Sequence, residues 1–324
     1  MRVLVTGATG FVGGRVARLL CAEGHDVRAT GLPGDPTDVL ESLDCDYRAA
    51  DLLDGVVIDE LVQGVEAVFH VAALVTFDPR RYDKQWQVNV GGTQLLLDAA
   101  GRAGVGRFVY TSTVNTLGIP ALGQVGDEDT PFDWARWGLG YMDSKRAAEE
   151  SVLAHELDTV CVLPGTMFGP GDIFFSAGTY IREAARGRLV LAPPGGTTVA
   201  HVDDVAQGHL LALERGRPGA RYALGGDHLS YETLYRVINE ELGRPGPYGV
   251  IPESLLRFTG RQSDGLRRLG LAIPWSEGLA VAGSAPLYYS SRLAESELGY
   301  RPRPAIDGIR EAIAWYRQRR MIYA

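Results

Sequence analysis

The stretch "RVLVTGATGFVGG", residues 2–14, constrains the fold more than any other part of the chain. A Val-rich strand pattern runs directly into a turn that carries Gly7, Gly10 and Gly13, three residues apart, and a helical pattern begins at Phe11. Glycines let the backbone come close to a pyrophosphate, and the free N–H groups and dipole of the helix start hold its charge. A triple glycine is weak alone. Here it follows a strand and opens a helix inside a βαβ unit, which is the context that gives it meaning.

The pattern after this turn extends the same architecture. Strands are expected at 2–6, 26–30, 46–50, 66–71, 107–112 and 159–164, with helices at 11–23 and roughly 55–63, 80–103 and 140–156. The strands are nearly continuous apolar runs, the mark of a parallel sheet buried on both faces. The sequence therefore predicts an α/β protein with a doubly wound parallel (Rossmann) sheet. After Gly165, the breaks "GPGD", "APPGGTT" and "RPGPYG" interrupt the alternation, and helices are expected near 176–186, 203–215, 230–242, 252–269 and 305–320. Residues 1–165 plus about 201–227 read as the dinucleotide-binding domain. Residues 166–200 and 228–324 read as a smaller, interwoven C-terminal substrate domain.

Charge and cysteines narrow the partners. The formal net charge is −8, which disfavours nucleic acid. No apolar run is long enough to span a bilayer, so no membrane partner is expected. Cys21, Cys45 and Cys161 are an odd, scattered set in apolar or strand-like runs, which predicts buried thiols and a reducing compartment. The opening "MRVLVTG" already reads as a strand, and the expected location is cytoplasmic. The six histidines show no metal-ligand spacing with one another or with cysteine, so no metal is expected. Asp203 and Asp204 read as caps of a helix start.

In "GLGYMDSKRAAEE", residues 138–150, Tyr141 and Lys145 are four apart and share one helical face. A nearby cation favours a phenolate, and so lowers a tyrosine pKa from about 10. Spacing alone does not separate such a pair from a solvated helix face.

The motifs together resemble the extended short-chain dehydrogenase/reductase superfamily, the NAD-dependent epimerase/dehydratase family, over essentially the whole chain. The matching pieces include "TGATGFVGG", Asp51–Leu52, "HVAA" (70–73), "NVGGT" (89–93), "YTST" (110–113), "YMDSK" (141–145), "PGTMFGPGD" (164–172), "HVDDVAQGHLLALE" (201–214) and "ELGYRPRP" (297–304), in the right order. Within it, the chain is most similar to dihydroflavonol 4-reductase-like proteins and to the bacterial hopanoid-associated sugar epimerases. It is more distantly similar to 3β-hydroxysteroid dehydrogenases.

The resemblance implies roles for named residues. Gly7, Thr9, Gly10, Phe11, Val12 and Gly13 would hold the pyrophosphate turn. Asp51 would bind the adenine amino group, with Leu52 against the ring. Val71, Ala72 and Ala73 would line the cofactor, Asn89 would lie near the ribose and the lysine, and Pro164 near the nicotinamide. Thr113, Tyr141 and Lys145 would be the catalytic set, the last two also touching cofactor; Ser112 is the alternative hydroxyl. The cofactor would be NADP or NAD, with a lean to NADP, because Gly31 and Leu32 stand where an NAD site carries an acid. A homodimer through the helices at 80–103 and 140–156 is what many relatives form.

Three activities follow. A carbonyl reductase or alcohol dehydrogenase on a small-molecule substrate is favoured. A nucleotide-sugar epimerase with retained NAD is the alternative, and a non-catalytic cofactor-binding regulator the third. Val114 and Asn115 follow Thr113 where sugar 4,6-dehydratases carry an acid pair, which argues against dehydration. "GLAVAGSAPLYYSS" (278–291) lacks the arginine that nucleotide-sugar enzymes tend to carry there. Phe132, Trp134, Trp137, Phe168, Phe174 and Phe175 are candidates for an apolar substrate pocket.

Overall fold

The computed structural model describes residues 1–121, 123–187, 191–246 and 249–322. Part of "RPGPYG" and the last two residues of the chain fall outside them. Seven parallel strands form the main sheet in the order β3-β2-β1-β4-β5-β6-β9. They are β1 (Arg2–Thr6), β2 (Asp26–Gly31), β3 (Cys45–Ala49), β4 (Ala67–His70), β5 (Arg107–Thr111), β6 (Thr159–Pro164) and β9 (Arg221–Leu224). The order reverses between β1 and β4, so their C-terminal ends open the crevice in which such sheets bind ligands.

Side-chain alternation explains why the sheet is buried on both faces. Leu4, Val68, Phe108 and Cys161 point to one face, against α2 (Gly55–Leu61), α4 (Thr93–Arg102) and α5 (Gly140–Leu153). Val3, Val5, Phe69, Val109 and Val162 point to the other, against α1 (Phe11–Ala22) and α7 (Val202–Arg215). Each apolar side chain so buried stabilises the fold by about 1.5–3 kcal/mol.

The stretch expected as one helix at 80–103 is a short helix α3 (Tyr82–Trp86), a π-helical segment Gln87–Gly92, and α4. The wide turn falls at Asn89, and such π segments concentrate at functional sites.

A second sheet is built on β8 (Gly196–His201). β10 (Asp227–Ser230) pairs antiparallel along one edge, while β7 (Thr166–Phe168) and β11 (Pro286–Leu287) pair parallel along the other. None of these four strands was legible in advance, because "GGTTVAH" reads as a break and the others are four residues or fewer. Helices α6 (Gly178–Ala185), α8 (Tyr231–Leu242) and α11 (Ala305–Gln318) share a third hydrophobic cluster around Phe168, Val199 and Ile309. Helices α9 (Glu253–Arg268) and α10 (Glu277–Ser284) pack on each other. The chain weaves between the sheets: Leu287 and Tyr289 join the cluster under α5, and Leu298 and Tyr300 the one under α7.

Of the cysteines expected to be buried, only Cys161 is. Cys21 and Cys45 are half-exposed, and all three are free. No described helix is long and apolar enough to cross a membrane.

Candidate active site at the sheet crevice

Gly7 ends β1 with φ +66°, a conformation open to glycine and strained for other residues. A Cβ on Gly7 would lie 2.8 Å from the Ala72 backbone, and one on Gly13 would lie 2.1 Å from the Gly7 carbonyl oxygen. These glycines let the turn, the start of α1 and the end of β4 pack together. Gly10 is the N-cap of α1, and no side chain caps it. The first turn of α1 also carries no acid. This opening presents free N–H groups and a positive dipole end, and fits a pyrophosphate. Thr9 turns sideways and packs over Gly31 at the tip of β2. Phe11 is buried and Val12 half-buried at the head of α1.

The tip of β2 holds an acid, Asp35, which in the sequence lies a few residues beyond Gly31 and Leu32 and carries no assigned role there. The Thr9 side chain fills the space of a Gly31 Cβ, with Oγ1 only 2.3 Å from it. The same Oγ1 donates to Asp35 Oδ2 at 3.0 Å, and Leu32 N–H donates to that oxygen at 3.2 Å. Asp35 therefore reaches back from the following loop to the place where a strand-borne acid would stand. Asp51 accepts from Leu53 N–H through Oδ1 and lines a shallow depression with Leu53, Val56 and Arg102. Leu52 is buried in the core and offers little surface to a ring.

Beneath the crevice runs a buried chain of hydrogen bonds. Thr6 Oγ1 accepts from the N–H groups of Val71 and Ala72, so its proton goes to His70 Nδ1 at 2.8 Å. His70 Nε2–H then donates to Thr93 Oγ1 at 2.8 Å, and Thr93 donates to the Asn89 carbonyl oxygen. Burial, and secondarily the charge of Lys145, lowers the His70 pKa to about 3, so the ring is neutral. Asn89 accepts from Leu74 N–H and donates to Leu74 O and Ser144 Oγ. Its side chain thus ties the loop after β4 to α5. Ala73 is half-buried in that loop, and Pro164 is buried at the end of β6.

Tyr141 and Lys145 lie on α5, as their spacing predicts. Thr113 follows β5, and its hydroxyl acts on Tyr141, lowering the phenol's pKa slightly. Thr113 Oγ1 also accepts from Asn115 N–H at 3.2 Å, capping a short turn. Ser112, the alternative hydroxyl, points inward: it donates to Glu149, a buried carboxylate paired with Arg221 at 2.8 Å. Lys145 Nζ donates to Tyr110 OH and to Thr111 O, both at 2.7 Å.

Burial pushes the Tyr141 pKa up to about 12, with a smaller opposing effect of Thr113. Burial also pulls Lys145 down to about 7. In the free protein, Tyr141 is therefore a protonated phenol at neutral pH. The expected depression by Lys145 is absent, because the ammonium turns to Tyr110 and Thr111.

The aromatic set divides. Trp134 is fully buried and donates to Leu117 O, Phe168 is core, and Phe175 stacks on Tyr316 at 4.8 Å. Phe132 and Trp137 are half-buried, and Phe174 is exposed. An aromatic not foreseen, Phe77, stands edge-on to Tyr141 at 5.8 Å, and is exposed beside Val75. Its position on the loop after β4, four residues past Ala73, was the available signal.

His201, Asp203 and Glu311 gather within 4.8 Å, but two arginines already supply the positive charge. Arg15 pairs with Asp203, and Arg303 reaches Asp203, Asp204 and His201. The cap of α7 is the His201 ring, which accepts from Asp203 N–H, not Asp203 or Asp204.

A sequence model of the NAD dependent epimerase/dehydratase family matches residues 3–225. The chain is 32% identical to sterol demethylase protein B of Methylococcus capsulatus, over 99% of this chain and 100% of that one. It is also 32% identical to a putative dihydroflavonol 4-reductase of Synechocystis, over 96% and 93% of the two chains. The solved structure of gox2253 superposes with a TM-score of 0.91 at 36% identity, covering 99% of each chain. PA4631 of Pseudomonas aeruginosa, described as a nucleoside-diphosphate-sugar epimerase, superposes with a TM-score of 0.84 at 26% identity, covering 100% and 99%.

Proposed function

The chain belongs to the NAD-dependent epimerase/dehydratase family and is an NAD(P)-dependent oxidoreductase of the extended short-chain dehydrogenase/reductase type; from that premise we propose that it reduces the carbonyl group of an apolar small molecule, with Tyr141 as the proton donor. The observation that carries this reading is the Tyr141–Thr113 pair at the sheet crevice, with the phenol held protonated by burial. The nicotinamide, when bound, supplies the hydride.

Every other part belongs to side chains of this protein. Tyr141 gives its proton to the substrate oxygen as negative charge develops there. Thr113 accepts from Asn115 N–H, which leaves its own proton free to donate to the same oxygen or to Tyr141. Lys145, held by Tyr110 and Thr111, keeps one ammonium N–H for the ribose side of the crevice. Gly7, Gly10 and Gly13 form the pyrophosphate cradle. Asn89 fixes the loop that carries Ala73 and Phe77 beside Tyr141.

The substrate class follows from what is exposed. Val75 and Phe77 present apolar surface on the loop beside Tyr141. Relatives are named for apolar compounds, among them a ketoreductase of a farnesyl-bearing quinoline oxide in Stigmatella aurantiaca. The epimerase reading is less well supported. Of the nearby arginines Arg261, Arg267 and Arg268, the first two are engaged with Glu277 on α10 and Asp264 on α9. Incubation with NADH and a panel of ketones tests this. Stoichiometric cofactor oxidation is expected, and isomerisation without net oxidation would overturn it.

We also propose NAD(H) over NADP(H). The empty tip at Gly31 favours NADP on sequence grounds, but the Asp35 carboxylate held there by Thr9 and Leu32 suits ribose hydroxyls and repels a 2′-phosphate. Calorimetric titration is expected to give NADH the tighter binding by about tenfold or more. Asp35→Ser should narrow that ratio. A homodimer through α4 and α5 remains part of the proposal, checked by sedimentation.

A further inference from the structure

Helix α9 turns the wrong face outward. Of its sixteen residues only Leu256 and Gly260 are buried. Leu255 is 53% exposed, Phe258 57% and Leu266 43%, and Leu269 just beyond the helix is 80% exposed. Their spacing of three, eight and three residues places them on one stripe of the helix. Leu255 and Phe258 at one end and Leu266 and Leu269 at the other, with Gln262 between them, line this face, and exposed large apolar groups along one face mark a contact site.

The charges beside the stripe identify the partner. Arg257, Arg261 and Arg268 follow one another along its flank at spacings of four and seven, and Arg267 lies on the opposite side. The helix carries these four arginines against Glu253 and Asp264, on a chain whose formal net charge is −8. Three acids pair with three of these arginines: Glu253 and Glu277 with Arg257, Glu277 also with Arg261, and Asp264 with Arg267, so one positive charge remains in excess, with Arg268 beside the stripe. Leu and Phe on one face with arginines along its edge is the design of a helix that lies in a membrane interface. A second copy of the chain fits less well, because a two-fold contact would set this face and its arginines against themselves.

We propose that α9 docks on an anionic lipid surface, lying flat in the interface without spanning it. The contact is transmitted rigidly towards the active site. A Cβ on Gly260 would lie 2.7 Å from the Glu277 Cα, so α9 presses directly on α10. A Cβ on Gly278 of α10 would lie 2.7 Å from the Trp137 Cβ, just before the helix that carries Tyr141. The docked helix thus holds the substrate side of the molecule near the bilayer, where an apolar substrate partitions.

Co-sedimentation of the full chain with vesicles tests the proposal independently of catalysis. Vesicles of phosphatidylcholine with about a quarter phosphatidylglycerol are expected to bind roughly tenfold more protein than phosphatidylcholine alone, and added salt should reduce the difference. Leu255→Ser/Phe258→Ser/Leu269→Ser should abolish binding while Tm and NADH affinity stay unchanged. Arg257→Gln/Arg261→Gln/Arg268→Gln should bring the anionic vesicles down to the neutral level. Absence of binding to anionic vesicles, equal binding to both vesicle types, or unchanged binding by the leucine variant would overturn it. So would a dimer in sedimentation that the leucine variant dissociates.

Discussion

Beneath Tyr141, the side chains of Thr6, His70, Asn89, Thr93, Tyr110 and Lys145 are all 2% exposed or less, and each has hydrogen-bond partners. On α9, and around Phe77, large apolar side chains stand in solvent. Both regions look anomalous by the rule that polar groups face water and apolar groups avoid it. The buried polar layer is satisfied internally, so it fixes one geometry, as a hydride-transfer site requires. The exposed apolar surface has no such internal partner, and it is the surface that the proposed substrate and lipid contacts would cover. On the proposed reading the first region holds the reacting groups and the second meets what they act on.

The contrast breaks most readily at Tyr141. Tyr141→Phe should lower kcat by about 10²–10⁴, with NADH affinity unchanged within about twofold, in parallel turnover and titration experiments. Normal turnover would remove the phenol from the chemistry. Next in size is Gly13→Ala, whose Cβ would strike the Gly7 carbonyl. The turn must open, so NADH affinity should fall more than tenfold and stability by about 1–3 kcal/mol. Calorimetry and thermal melts would read both.

A third prediction turns on the strain of a buried amine. Lys145 sits near 7 in the folded protein, against an ordinary value of 10.5. Between those values the unfolded chain binds more protons, so this group makes stability rise with pH from about 7 to about 10.5. Its cost is fully present below pH 7 and is relieved as pH rises. Lys145→Met should therefore abolish turnover yet raise the stability of the free protein at pH 7 by about 1–3 kcal/mol. It should also flatten the rise between pH 7 and 9. A lower Tm would mean the layer needs the ammonium for its own packing. The smallest effect belongs to the open region: Phe77→Ala, beside Tyr141, should raise KM by about two- to fivefold and leave kcat unchanged. A fall in kcat instead would blur the division between the two regions.

Much of the fold was legible in the primary structure for a simple reason. Strands buried on both faces must be apolar throughout, and a close helix–turn contact admits only glycine, so Val3–Val5 and Gly7–Gly13 carry their own explanation. Tyr141 and Lys145 were legible through a helical spacing combined with family motifs. The second sheet was not, because strands such as β7 and β11 are too short to show alternation and borrow their stability from β8. Asp35 stood in the sequence without a role because a loop, not a strand, delivers it to the tip of β2, with Thr9 as its anchor. Family position favours Thr113 over Ser112, and the buried Glu149, which no local pattern announces, holds the Ser112 hydroxyl inward.

By itself the sequence determined the sheet, the close glycine turn after β1 and the shared helical face of Tyr141 and Lys145, since these follow from local periodicity and from steric limits on single residues. Only the tertiary structure decided which way each group faces. Burial sets Tyr141 as an acid and Lys145 as a reluctant cation, and the packing of α10 leaves the apolar stripe of α9 outside. Protonation and exposure depend on neighbours far apart in the chain, and no local pattern encodes them.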